Sequence, residues 1–238
     1  VVVALAFDFT NGFHDTGNAM AASIATGALS PKGAVTLAAI LNLVGAVLSV
    51  EVALTVSNAV VNIQDSKGLP KAELMANGGT MLLLIVFGGL VGGIIWNLFT
   101  WLLGLPSSSS HALLGGLVGG TIGALGFAGV KWAGDGSKID GVIGKVILPS
   151  LISPVIAMIV AATATRLIFM ITARVEDKFR EGRFRWGQVG AASLVSLAHG
   201  TNDAQKTMGV ITLALVAGGS VSATAVYVPL WVKLSAAL

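Results

Sequence analysis

The stretch NGFHDTGNAM (residues 11–20) contains an aspartate and lies in a segment apolar enough to cross a membrane. A related stretch, HGTNDAQKTM (residues 199–208), occurs near the end of the chain. When the two are overlaid, Asp15 meets Asp203 and Asn18 meets Lys206, all at one offset of 188 residues (203 − 15). Carboxylates are rare within membrane segments, and two in matched polar settings predict a duplicated unit around a shared polar site.

Composition places the chain in a membrane. Hydrophobic residues make up 55% of it and charged residues 11%, whereas about 25% of an ordinary soluble domain is charged. Apolar runs close to the roughly 20 residues of a spanning helix occupy residues 34–50, 81–103 and 146–171, and a fourth extends backwards from 210–217 through the second motif. We therefore predict an all-α, polytopic membrane protein, in contact with membrane lipid.

The small charge excess does not indicate a nucleic-acid partner. The net charge is +3, and the basic residues concentrate in loops, as topology signals do. The chain has no cysteine, which excludes disulfides and thiolate metal sites. His14, His111 and His199 are not spaced as zinc ligands, so we predict no resident metal and no cofactor.

The repeat suggests a division of the chain into three parts. Residues 1–173 form the first membrane repeat, and residues 174–187 form a charged connector, placed in the cytoplasm by its basic excess. Residues 188–238 begin the second repeat. At the same offset Leu238 corresponds to Val50 (238 − 188), so we expect the second repeat to be incomplete in this chain.

A serine-rich element, GLPSSSSHA (residues 104–112), lies between two apolar runs. Four serines and a histidine that follow a proline between apolar runs predict a break between two half-helices. Helix N-termini and neutral hydroxyls from Ser107 to Ser110 would suit a tetrahedral oxyanion such as phosphate. A flexible polar loop is the alternative interpretation.

Polar side chains crowd around both aspartates, which favours helices that unwind there and line a water-filled site. The alternative is a structural polar network that joins helices. Asp8, seven residues before Asp15, either joins this site or pairs near the end of its segment. Glu51 lies in an apolar run, where an ion-path role and a helix–helix hydrogen bond are both open.

The pairing of Asn18 with Lys206 is the main asymmetry between the two motifs. An amide oxygen can coordinate a cation such as Na⁺, whereas an ammonium cannot. A lysine at this point would instead neutralise Asp203 or offer charge to an anion. We therefore expect the second half to lack one cation site, which favours proton coupling.

Three stretches together resemble the inorganic phosphate transporter family, specifically its bacterial low-affinity members. These are FDFTNGFHDTGNA (residues 7–19), the serine element, and SLAHGTNDAQKTMG (residues 196–209). The resemblance implies two inverted repeats with broken helices and a re-entrant, serine-rich hairpin, often in a homodimer. It also implies a secondary active symporter, multi-pass in the bacterial plasma membrane, that imports inorganic phosphate with H⁺ or Na⁺, in some relatives as a divalent metal–phosphate complex.

On this interpretation the candidate site residues form two overlapping sets. The substrate set is Asp15, Asn18, Ser107, Ser108, Ser109, Ser110, Thr201, Asn202, Asp203 and Lys206. The coupling-ion set is Asn11, Asp15, Asn18, Glu51, Asn202 and Asp203.

Other functions remain open from the sequence. The donors that fit phosphate also fit sulfate, so another oxyanion is the nearest alternative substrate. Serine, histidine and aspartate together raise a remote alternative, an intramembrane hydrolase, but a triad requires geometry and does not require a duplicated aspartate. We therefore do not predict an enzyme. A channel or receptor would not need paired polar motifs of this kind.

Overall fold

A computed structural model describes residues 1–48, 60–61, 63, 70–134, 139–175, 177–222 and 227–237. Regular structure in these ranges is helical, apart from isolated bridge residues such as the antiparallel pair Val61 and Val130. The α-helices are α1 (Val2–Ala25), α2 (Pro31–Leu48), α3 (Ala72–Met75), α4 (Thr80–Leu102), α5 (Ser109–Leu125), α6 (Leu148–Thr172), α7 (Asp177–Ala217) and α8 (Leu230–Ala237).

Three helical segments in the described ranges are long and apolar enough to cross a membrane. They are Pro31–Leu48, Ala72–Leu102 and Ile143–Thr172. They coincide with the apolar runs at 34–50, 81–103 and 146–171, which confirms the predicted polytopic, all-α membrane fold. Glu51 lies outside the described residues.

Helices α1 and α7 run antiparallel, with Thr26 against Gln188 near one end and Asp8 against Thr207 near the other. Helix α2 lies along α7 in the parallel sense. Gly45 and Gly200 make that approach possible, because a Cβ on Gly45 would overlap the Leu197 carbonyl oxygen and one on Gly200 would overlap the Asn42 backbone. Small residues at such crossings let membrane helices pack by direct backbone contact.

The serine element separates α4 from α5, as predicted. Helix α4 ends with Gly104 at φ 65°, its N–H bonded to the Trp101 carbonyl, and Leu105 N–H bonded to the Thr100 carbonyl. This pair of bonds is the Schellman ending of a helix. Ser108 then caps α5 by accepting the His111 N–H. The two helices pack closely at Gly89 and Gly116, forming a hairpin.

The aspartate motifs do not interrupt their helices. We expected unwinding there, but α1 is continuous over Val2–Ala25 and α7 over Asp177–Ala217. The reason is that the polar side chains find partners on the facing helices, so no backbone groups need to be freed. Helix α7 also begins inside the charged segment and passes residue 188 without a break. The division into a connector and a second repeat therefore stays a prediction.

Helix α6 lies at the edge of the described structure. None of its residues is buried, and it follows a π-helical turn at Ile143–Ile147. Its apolar surface is thus available to lipid or to protein outside the described residues.

Candidate functional site

Asp203 is the most fully bonded carboxylate of the site. It is 8% exposed and projects from the middle of α7. Lys206 Nζ lies 2.6 Å from its Oδ1, while Asn11 Nδ2 donates to Oδ2 at 2.9 Å and His199 Nε2 lies 2.8 Å from Oδ2. A carboxylate in a membrane segment requires this kind of pairing to remain charged.

Asp15 on α1 has fewer partners. Ser109 donates to its Oδ2 at 2.6 Å, and His199 Nε2 lies 3.8 Å from the same oxygen. Its Oδ1 has a long contact of 3.5 Å with the amide of Asn18. No lysine or arginine among the described residues forms an ion pair with it.

The crossing of α1 with α7 has a local two-fold pattern. Asn11 contacts Asp203, and His199 approaches Asp15. The 188-residue offset aligns Asn11 with His199 and Asp15 with Asp203. The contact between Asn11 and Asp203 is therefore the counterpart of the contact between His199 and Asp15. This antiparallel pairing is the arrangement that an inverted repeat requires.

The N-terminus of α5 contacts Asp15 directly and is linked to Asp203 through Lys206. Ser109 donates to Asp15, and Lys206 donates to Ser110 Oγ. The first turn of α5 therefore points its N–H groups and the positive end of its dipole towards the site.

Other predicted residues lie outside this cluster. Ser107 accepts from Trp96 Nε1 at 3.0 Å, and Ser108 is engaged by the His111 ring and N–H. Thr201 donates to the Leu197 carbonyl of its own helix, and Asn202 is exposed.

Two polar contacts were not predicted. His199 lies between the carboxylates, and Thr207 donates to Asp8 Oδ1 at 2.8 Å. The first had a sequence signal: His199 precedes Asp203 by four residues, as Asn11 precedes Asp15, which is one helical turn in each case. The second had none, since the two residues are 199 positions apart.

The cluster also offers ligands for a cation. Asp15, His199 and Asp203 each present one ligand atom, all within 4.8 Å of one another. Asn11 is 3% exposed, and its Oδ1 has no hydrogen-bond partner among the described residues. A buried acceptor without a donor is costly, and a cation would satisfy it. These ligands come from two helices, so spacing along the chain could not reveal the group.

A cavity of about 640 Å³ adjoins the cluster between α1, α2 and α7. Asp8, Asn11, His199 and Asp203 line its polar side. Its size accommodates a hydrated tetrahedral anion.

Comparison with known proteins gives consistent matches. The model of the phosphate transporter family matches residues 11–183 and 171–238. A probable low-affinity inorganic phosphate transporter of Mycobacterium tuberculosis (strain ATCC 25618 / H37Rv) is 57% identical over 238 residues, covering 100% of this chain and 52% of its own length. One of Bacillus subtilis (strain 168) is 38% identical over 237 residues, covering 100% and 65%.

A solved structure, described as "The sodium-dependent phosphate transporter", superposes with a TM-score of 0.78 at 18% identity, covering 99% of this chain and 71% of that one. At this identity the likeness shows the fold. The chain spans about half the length (52%) of the mycobacterial relatives. The matched family is one of transporters rather than enzymes, and the apolar helices make this a multi-pass membrane protein. With both parts of the chain matched and the relatives well above 30% identity, the chain belongs to the phosphate transporter family.

Proposed function

We propose that the protein is a secondary active symporter that imports inorganic phosphate across the bacterial plasma membrane together with H⁺ or Na⁺. The names of its relatives support the substrate, and the name of the structural neighbour supports a coupling cation. The observation that carries the proposal is that both aspartates lie at the N-terminus of α5, where Asp15 contacts Ser109 directly and Asp203 is linked to Ser110 through Lys206.

The donors of α5 and the two carboxylates suit ligands of opposite charge. Hydroxyls and first-turn N–H groups of α5 donate to an oxyanion without a formal charge of their own, so they can hold phosphate and still release it. Lys206 adds one positive charge at this edge. The carboxylates repel phosphate and therefore act on it through a cation held by Asp15, His199 and the Asn11 amide oxygen.

The coupling of transport follows from this arrangement. Phosphate and cation each make the site more favourable for the other, so the loaded site carries both across as a unit. A divalent metal bound with phosphate would use the same ligands, because carboxylate, amide and imidazole groups all serve hard or borderline cations. A homodimer and the roles of Asn18, Ser107, Ser108, Thr201, Asn202 and Glu51 stay predictions.

Uptake of labelled phosphate by the full protein in proteoliposomes tests the proposal. We expect accumulation driven by an imposed H⁺ or Na⁺ gradient, weak competition by sulfate, and stimulation by Mg²⁺ if the metal complex is carried. Absence of uptake under every gradient would overturn the proposal, and equal competition by sulfate would assign a broader oxyanion substrate.

Two variants connect the uptake to the site. We expect Asp15→Asn and Asp203→Asn each to reduce the rate by at least about 100-fold, because each removes a charge that the cation or Lys206 requires. Asp140→Asn is the matched control, since Asp140 pairs with Lys131 in a loop away from the site. Normal rates in either site variant would contradict the assignment.

A further inference from the structure

Lys206 and Asn18 hold equivalent places in the two halves of the site. Each lies three residues after its aspartate, and each contacts the same oxygen of it: Asn18 Nδ2 lies 3.5 Å from Asp15 Oδ1, and Lys206 Nζ lies 2.6 Å from Asp203 Oδ1. The two aligned side chains therefore contact their aspartates in the same way.

The two positions differ in charge. At Asp203 the chain supplies its own cation, an ammonium at ion-pair distance. At Asp15 the equivalent neighbour is a neutral amide, and Asp15 forms no ion pair with a lysine or arginine in the described part of the chain. A carboxylate in a membrane segment is costly unless a positive group lies close to it. Within the described ranges Asp15 has only His199 at 3.8 Å, so it has the greater need for a cation from solution.

The remaining contacts of the two carboxylates show the same contrast. Asp203 Oδ2 is shared by Asn11 and His199, so both of its oxygens have donors at 2.9 Å or less. Asp15 has one short donor, Ser109, on Oδ2. Its Oδ1 therefore retains the capacity to coordinate.

We propose that the Lys206 ammonium is a tethered cation that permanently occupies the place of an exchangeable ion at Asp203, leaving Asp15 as the exchangeable-cation position of the pair. This inference rests on the proposed symport function and assigns its ion count. The protein moves one cation fewer with each phosphate than a symmetric pair of sites would move.

Exchanging the two side chains changes that count in opposite directions. Lys206→Asn opens a second exchangeable position, so the number of positive charges moved with each phosphate rises by one. Asn18→Lys places a tethered cation at Asp15, so that number falls by one. Lys145→Asn is the matched control, because Lys145 is exposed and outside the site.

The measurement is the charge moved per phosphate by the full protein in proteoliposomes, obtained at fixed pH from the membrane potential at which net phosphate flux reverses. Opposite shifts in the two variants and no shift in the control support the inference. An unchanged charge in both site variants overturns it while leaving phosphate transport intact.

For variants that fold but do not transport, a binding measurement tests the inference instead. Thermal stabilisation of purified protein in detergent is measured against added Na⁺ and, separately, against falling pH. The response to the coupling cation is expected to be larger for Lys206→Asn than for wild type and smaller for Asn18→Lys. Lys206→Gln serves in the same role if Lys206→Asn does not fold. Equal responses to both Na⁺ and pH in all folded variants overturn the inference, and failure of wild-type uptake alone overturns only the proposed function.

Discussion

Individual carboxylates in this protein are distinguished by what their oxygens contact. Asp8 lies seven residues before Asp15 on α1, and its Oδ1 accepts from Thr207 at 2.8 Å. Thr207 itself is 1% exposed. The contact joins α1 to α7 next to the cluster, so we assign it to positioning the two helices.

Thr207→Val tests that contact, because valine keeps the shape and removes the donor. We expect a loss of about 1–3 kcal/mol, the usual cost of leaving a partner unsatisfied. This corresponds to a fall in the melting temperature of about 2–4 °C per kcal/mol at this chain length. Thermal unfolding in detergent measures it. Thr207→Ser retains the hydroxyl and should melt close to wild type, and equal melting of Thr207→Val would show that the contact contributes nothing.

Sequence predicted the central residues of the site but not their partners. The repeat identified Asp15, Asp203 and the unequal pair Asn18 and Lys206, since an offset states which residues are equivalent. It does not state where the two helices cross. The contacts of His199 with Asp15 and of Thr207 with Asp8 depend on that crossing, which tertiary packing sets.

At the scale of the helices, the crossing of α2 with α7 sets the position of α7 beside the site. Gly45 and Gly200 bring the two backbones together three residues before Asp203 in α7. Any side chain here would push α7, and Asp203 with it, away from α2.

Gly45→Ala and Gly200→Ala are therefore expected to destabilise the protein by about 1–3 kcal/mol each, the range typical of overpacking. Gly190→Ala is the control in the same helix, since nothing lies within 4 Å of a Cβ there. It should be neutral or stabilising by up to about 1 kcal/mol, because alanine favours a helix. Chemical unfolding monitored by circular dichroism compares them. If all three variants unfold alike, the close approach does not limit packing.

A helix break could be predicted from the sequence where a glycine or a proline causes it. Gly104 at φ 65° and Pro106 interrupt the chain before α5, and both are visible in the sequence. The polar motifs around Asp15 and Asp203 gave a false signal for unwinding. Polar side chains alone do not remove backbone hydrogen bonds, and here they bond across helices instead.

On the scale of the whole molecule, α6 differs from the other long helices in having no buried residue. Ile159, near its middle, is 58% exposed. A helix of this length centred in the membrane would place Ile159 close to the bilayer midplane.

Ile159→Lys should therefore impair membrane insertion by about 2.5–3.5 kcal/mol, the apparent cost of a central lysine. A glycosylation-mapping assay of α6 insertion measures this. Val175→Lys, just beyond the end of the helix, should insert as wild type. Equal insertion of both variants would place Ile159 away from the hydrocarbon.

The unbroken length of α7 has a mechanical consequence. Its 41 residues extend about 60 Å at 1.5 Å per residue, roughly twice the hydrocarbon thickness. Asp203 and exposed Trp186 thus lie about 26 Å apart on one continuous helix. A tilt of about 10° pivoting at Asp203 would displace Trp186 by about 4–5 Å, so a small rotation of α7 at the buried site produces a much larger displacement towards the N-terminal end of the helix.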